Sequence, residues 1–141
     1  MFKNVLLAID LNEPGSWKRA LPVALQICKA CSATLHVITV MPGINPSISP
    51  YFPDDANGKM IEKATGDLLS FVKKNVPAGQ KVKDIIAQGS IYREILNAAD
   101  SADADLIVMA SHKPEVTDYL LGANAAHVVR HFPRSVMVVR G

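Results

Sequence analysis

A few constellations in this 141-residue chain have residue types that can do chemistry. Cys28 and Cys31 stand three apart, the spacing of a redox or metal-binding pair. The apolar periodicity around them places both near the end of a helix, where the helix dipole does not lower a thiol pKa as it does at the start. Packing is the better account of both. His127 and His131 stand four apart and can share a helical face. Two imidazoles leave a zinc site incomplete, and no glutamate follows the first as a metalloprotease requires, so no metal ligands are assigned. Ser111 and His112 are adjacent, a spacing that sends side chains apart, and no nucleophile elbow surrounds them. No catalytic residues are assigned. The eight glycines fall at 15, 43, 58, 66, 79, 89, 122 and 141, so neither the dinucleotide fingerprint nor the Walker loop can be written. Two candidates remain. Asp10 ends an apolar run, where it reads either as a binding carboxylate or as a capping one beside Asn12 and Glu13. Gly122-Ala123-Asn124 opens a helix whose free amides and dipole favour phosphate, although a turn glycine followed by an N-cap asparagine reads the same way.

These residues need elements to hold them. Val5 to Ile9 is a continuous apolar run closed by a charge, which is how a strand buried on both faces of a parallel sheet reads. Thr34 to Val40, Val82 to Ala87, Leu106 to Ala110 and Ser135 to Val139 fit the same template. Between the first two runs, Trp17, Ala20, Leu21, Ala24, Ile27, Cys28 and Cys31 recur at helical spacing; Pro22 means that this helix either kinks or begins its regular part nearby. A second helix carries Ile61, Ala64, Thr65, Leu68 and Val72 on one face, weakened at Gly66. Ser90 is placed to cap a third, with Ile91, Ile95, Ala98 and Ala99 apolar and Glu94 in its first turns. The fourth follows Gly122 and stops before Pro133.

Strands alternating with helices predict one doubly wound α/β domain over residues 1–141, with a five-stranded parallel sheet between two helical layers. Ligands of such sheets bind outside the carboxyl ends of the strands, where strand order reverses. Asp10, Met41, Gly89-Ser90 and Ser111-His112-Lys113 follow strands and so matter most. Met41 to Asn57 holds four prolines and reads as an irregular loop, either a surface excursion or a lid.

Composition narrows the function classes. With 49% hydrophobic and 20% charged residues the chain is globular, and a net charge of +2 provides no excess for binding a nucleic-acid backbone. Two cysteines suit a reducing compartment. The run Val5 to Ile9 is too short for a signal-peptide core or a membrane span. A cytoplasmic protein without membrane insertion is expected.

The stretch LIVMASHKPEVTDYLLGANAAHVVRH from Leu106 to His131, followed by SVMVVR from Ser135 to Arg140, resembles the C-terminal signature of the universal stress protein family. Val5 to Asp10, His36-Val37 and Gly89-Ser90 fall in the family's order, and the wording around Ser111 to Pro114 and Leu120 to Gly122 is similar to the bacterial F and G types. The resemblance implies a Rossmann-like, adenine nucleotide alpha hydrolase-like three-layer fold with the last strand at one edge. It also implies homodimers and ATP as a bound ligand, with Mg as its companion ion, and no dedicated catalysis.

The family's nucleotide motif has two glycines three apart and, further on, a glycine followed by Ser or Thr. Here those positions hold Ala110, Lys113, Gly122 and Ala123, so only the last glycine matches, and the spacer before it is one residue short. The family's strand-one aspartate and strand-two valine, which contact the adenosine end, correspond to Asp10 and Val37. The candidate nucleotide-binding set is therefore Ala8, Asp10, Val37, Met109, Ala110, Lys113, Gly122, Ala123 and Asn124. Losing a hydrogen bond to a charged group costs about 1.5–3 kcal/mol, so weaker binding than with the full motif is expected, with Lys113 as an offsetting charge. The strand Ser135 to Val139, apolar and at an edge, would template a second copy of the chain. The expected function is a homodimeric, nucleotide-binding regulatory protein of the stress response in which ATP orders the loops after strands two and four and so changes which regulatory protein is recognised. The alternative is a nucleotide-independent interaction module with a degenerate motif.

Overall fold

A computed structural model of the chain describes residues 1–43, 56–111 and 122–140. Lys113 and most of the proline-rich loop lie outside the described residues. The five strands are β1 (Asn4–Ile9), β2 (Thr34–Met41), β3 (Val82–Gln88), β4 (Leu106–Ala110) and β5 (Ser135–Val139). The helices are α1 (Ala20–Cys31), α2 (Ala56–Asn75), α3 (Ile91–Ser101) and α4 (Ala123–His131). The strands form one parallel sheet in the order β3-β2-β1-β4-β5. The doubly wound α/β architecture expected from the alternation of elements is the one observed, with β5 at an edge.

The sheet alternates side chains between two apolar layers. Val5, Leu7, Ile9, Leu35, Val37, Leu106 and Val108 pack against Ala20, Ala24 and Cys28 of α1 and Leu68 and Val72 of α2. Leu6, Ile38, Ile107 and Met109 face the other way, onto Ile95, Ala98 and Ala99 of α3 and Ala125 and Val128 of α4. The inner strands are buried on both faces, which is why their sequences are largely apolar, broken in β2 by His36 and Thr39.

Pro22 does not kink α1. The helix begins at Ala20, so Pro22 occupies its third position, where its missing N–H has no intrahelical acceptor to lose. Trp17 precedes the helix, after a short 3-10 turn over Pro14–Ser16, and meets the Phe71 ring edge-on at 4.9 Å. Cys28 is buried in the core as a free thiol, and burial, with Cys31 adding to it, pushes its pKa up to about 11. Such a thiol is not a thiolate at neutral pH. Two details of the helices differ from expectation. Thr65 is exposed on α2 and bonds back to the Ile61 carbonyl at 2.7 Å. Ser90 stands at the N-cap of α3, but its side chain makes no capping bond.

His36 is a polar residue inside the second layer, 5% exposed, with Nε2 3.0 Å from Asn4 Oδ1. Asn4 Nδ2 donates to the Asp103 carbonyl at 3.4 Å, which turns Oδ1 toward the imidazole and makes Nε2 the protonated nitrogen. Burial, and after it the Lys83 ammonium, hold this imidazole below the usual histidine range.

Gly89 has φ +136, and a Cβ there would sit 3.3 Å from a Glu94 oxygen, whereas Gly66 faces open space on an exposed helix. In urea titrations Gly89→Ala should cost about 1–3 kcal/mol, because the backbone strain remains even if Glu94 moves. Gly66→Ala should stabilise by up to about 1 kcal/mol. The neutral His36 contributes stability that is present above the unfolded-state pKa and is lost as pH falls through the lowered folded value. The loss of stability from pH 7.5 to pH 5 should therefore be smaller in His36→Gln than in the wild type; an equal loss in both proteins would contradict this.

Candidate functional site

Chain order runs outward from β1 to β2 and β3, then returns to β4 on the other side of β1 and continues to β5. The reversal between β1 and β4 opens a crevice at the carboxyl ends of the strands, because their connections leave in opposite directions. A cavity of about 640 Å³ occupies it, within the usual range for small-molecule sites.

Three kinds of wall enclose this cavity. Its floor and one side are apolar, from Ala8, Ile38, Val40, Ile91, Ile95 and Met109. A second wall is the β1–α1 turn, which brings Asp10, Glu13, Gly15 and Ser16 to the rim. In this turn the Asn12 amide donates to Asp10 Oδ1 at 3.0 Å. The third wall is Ala110 and Ser111 at the end of β4 together with Gly122, Ala123, Asn124 and Ala125 at the start of α4. Gly122 is the N-cap, with extended backbone, and its carbonyl accepts from Ala126 N at 2.9 Å. Asn124 is thus the second helical residue and not the cap. The amides of the first turn of α4 have no acceptor within the helix, and the dipole places partial positive charge there. One end of the cavity carries carboxylates, and another carries N–H donors that have no partner within their own helix.

Of the nine candidate binding residues, Ala8, Asp10, Met109, Ala110, Gly122, Ala123 and Asn124 line this one cavity. Lys113 lies outside the described residues. Val37 is the exception. Its side chain is fully buried in the opposite layer, against α1 and α2, and does not line the cavity. Ala8 pairs in register with Ile38, so Ile38 and Val40 share its face and form the β2 wall. Register is not readable from strands that carry apolar side chains on both faces, since alternation then has little to distinguish. Glu13, Gly15 and Ser16 were also missed as candidates. Their signal was Pro22, which moves the helix start past them and leaves them in a turn.

The model of the universal stress protein family matches residues 1–140. The chain belongs to this family. It is 28% identical to universal stress protein MJ0577 of Methanocaldococcus jannaschii over 156 residues, covering 99% of this chain and 96% of that one. It is 27% identical to universal stress protein G of Escherichia coli O157:H7, covering 99% and 100% respectively. The solved structure of MJ0577 superposes with a TM-score of 0.75 at 27% identity, covering 100% of this chain and 97% of that one. Two further structures share the Rossmann-like fold with TM-scores of 0.64: a universal stress protein in complex with cAMP, at 23% identity with 99% and 97% coverage, and one from Archaeoglobus fulgidus in complex with dAMP, at 18% with 99% and 98%. Among the described residues, no helix of this universal stress protein is long and apolar enough to cross a membrane.

Proposed function

We propose that this universal stress protein binds an adenine nucleotide in the β1–β4 cavity and acts as a homodimeric, cytoplasmic regulatory protein of the stress response, binding its ligand without transforming it. The observation that carries the reading is the division of the cavity into an apolar slot, a carboxylate rim and a wall formed by the start of α4. A base is flat and apolar on its faces, a ribose offers hydroxyl donors, and a phosphate accepts from amides at a helix N-terminus. The family members solved with cAMP and dAMP support a nucleotide of this class. ATP is the form implied by the resemblance to the family's motif. Mg²⁺ bound with ATP would take phosphate oxygens and water among its ligands, with the Asp10 and Glu13 carboxylates at the rim of the same cavity. The regulatory output would pass through a protein partner that distinguishes the loaded dimer from the empty one.

The dimer reading rests on β5. This edge strand reads Ser135-Val136-Met137-Val138-Val139, without a charge, and Met137 is exposed. The opposite edge, β3, carries Lys83 and Asp84, the kind of residues that discourage pairing with another chain.

Titration calorimetry with ATP and with AMP at millimolar concentration should give heat and a thermal shift. Neither signal from either nucleotide would overturn the nucleotide reading and favour the nucleotide-independent interaction module. Ala123→Pro offers a finer test. Ala123 is the first residue of α4, where proline is tolerated, and Gly122 before it is already extended. The substitution removes one amide from the cavity wall, so nucleotide affinity should fall roughly tenfold or more while the melting temperature hardly moves. For the dimer, sedimentation should show the wild type at twice the mass of a Val138→Pro variant; equal masses would remove β5 from the interface.

A further inference from the structure

We infer that Ser16 is the positioning residue of the nucleotide site: its hydroxyl locks the β1–α1 turn so that Asp10 presents one free carboxylate oxygen to the cavity. This rests on the nucleotide reading of that cavity. Ser16 Oγ accepts a hydrogen bond from the Asp10 amide at 2.8 Å. It also lies 2.9 Å from the Asp10 carbonyl and 2.7 Å from the Glu13 carbonyl. A hydroxyl has one proton, so it serves these two carbonyls in alternation. The same carbonyls accept from the backbone: Glu13 N donates to Asp10 O at 3.0 Å, and Ser16 N donates to Glu13 O at 2.8 Å. Residues 10 to 16 therefore close into a ring with the serine hydroxyl at its centre.

The hydroxyl is not a helix cap. The N-cap of α1 is Arg19, and no side chain caps that helix. What the ring holds in place is Asp10. Its Oδ1 accepts from Asn12 N at 3.0 Å, while among the described residues no donor meets Oδ2. Both Asp10 and Ser16 line the cavity. A carboxylate with one oxygen tied to the backbone has a set direction, and its second oxygen is an acceptor for a hydroxyl or amino donor of the ligand. Without the serine hydroxyl, the Asp10 amide loses its acceptor and the turn no longer dictates where that oxygen points.

The test uses AMP as the probe with Ser16→Ala, Ser16→Thr, Asp10→Ala and the Ser16→Ala/Asp10→Ala double variant, by calorimetry. Ser16→Ala should weaken AMP binding roughly three- to tenfold, and Ser16→Thr, which keeps the hydroxyl, should recover most of the loss. On the Asp10→Ala background, Ser16→Ala should have no further effect on affinity, which a purely structural role would not produce. Wild-type affinity in Ser16→Ala beside a weakened Asp10→Ala, or losses that simply add in the double variant, would overturn the assignment. Hydrogen exchange at the Asp10 amide reads the lock without a ligand and should speed up in Ser16→Ala. If the wild type binds no AMP while that exchange change is seen, the turn is as described and the nucleotide reading has failed. If AMP binds and exchange is unchanged, the positioning role has failed.

Discussion

The requirement that most constrains this molecule is that β1 be paired on both edges and covered on both faces. Val5, Leu6 and Leu7 have no exposure, and β1 bonds to β2 on one side and β4 on the other. A strand so enclosed has nowhere to send its chain except out of its carboxyl end. Because α1 follows β1 onto one face of the sheet and α4 follows β4 onto the other, the connections that leave these two neighbouring strands part at their carboxyl ends and leave a crevice there. The apolar layers on the two sides of the sheet therefore decide where a ligand can enter as well as how the chain folds.

That crevice is polarised by backbone features as much as by side chains. The start of α4 contributes amides whose partners would have lain in a preceding turn of helix. The β1–α1 turn instead uses most of its hydrogen-bonding capacity internally, through Ser16 and Asn12, and leaves acid at the rim. Acid and helix-start amides at separate positions suit a ligand that carries donors in one part and negative charge in another. Ala110 and Ala123, where the family's motif has glycine and a hydroxyl residue, alter this arrangement without removing it, since both still line the cavity. The helix amides do not depend on the identity of the side chain.

The two edges of the sheet show how local sequence sets external behaviour. β3 carries the exposed Lys83 and Asp84, one on each face, while β5 has only serine and aliphatic or thioether side chains. The buried His36 belongs to the interior in the same sense: Asn4 satisfies one nitrogen and burial keeps the ring neutral. Neither feature lines the cavity, and both are governed by the same balance of desolvation and hydrogen bonding.

Sequence by itself determined the strands, the helices, their alternation and the residues at the carboxyl ends. Doubly buried strands and one-sided helices leave different periodicities, and Asp10, Ala110 and Gly122 stand where those periodicities break. Tertiary structure alone decided which face each strand residue takes. Val37 went to the α1 and α2 layer, and Ile38 and Val40 went to the cavity, because only the pairing of Ala8 with Ile38 fixes the register of two strands that are apolar on both faces. It also decided that Ser16 belongs to the rim, through hydrogen bonds six residues apart that no pattern of residue types encodes.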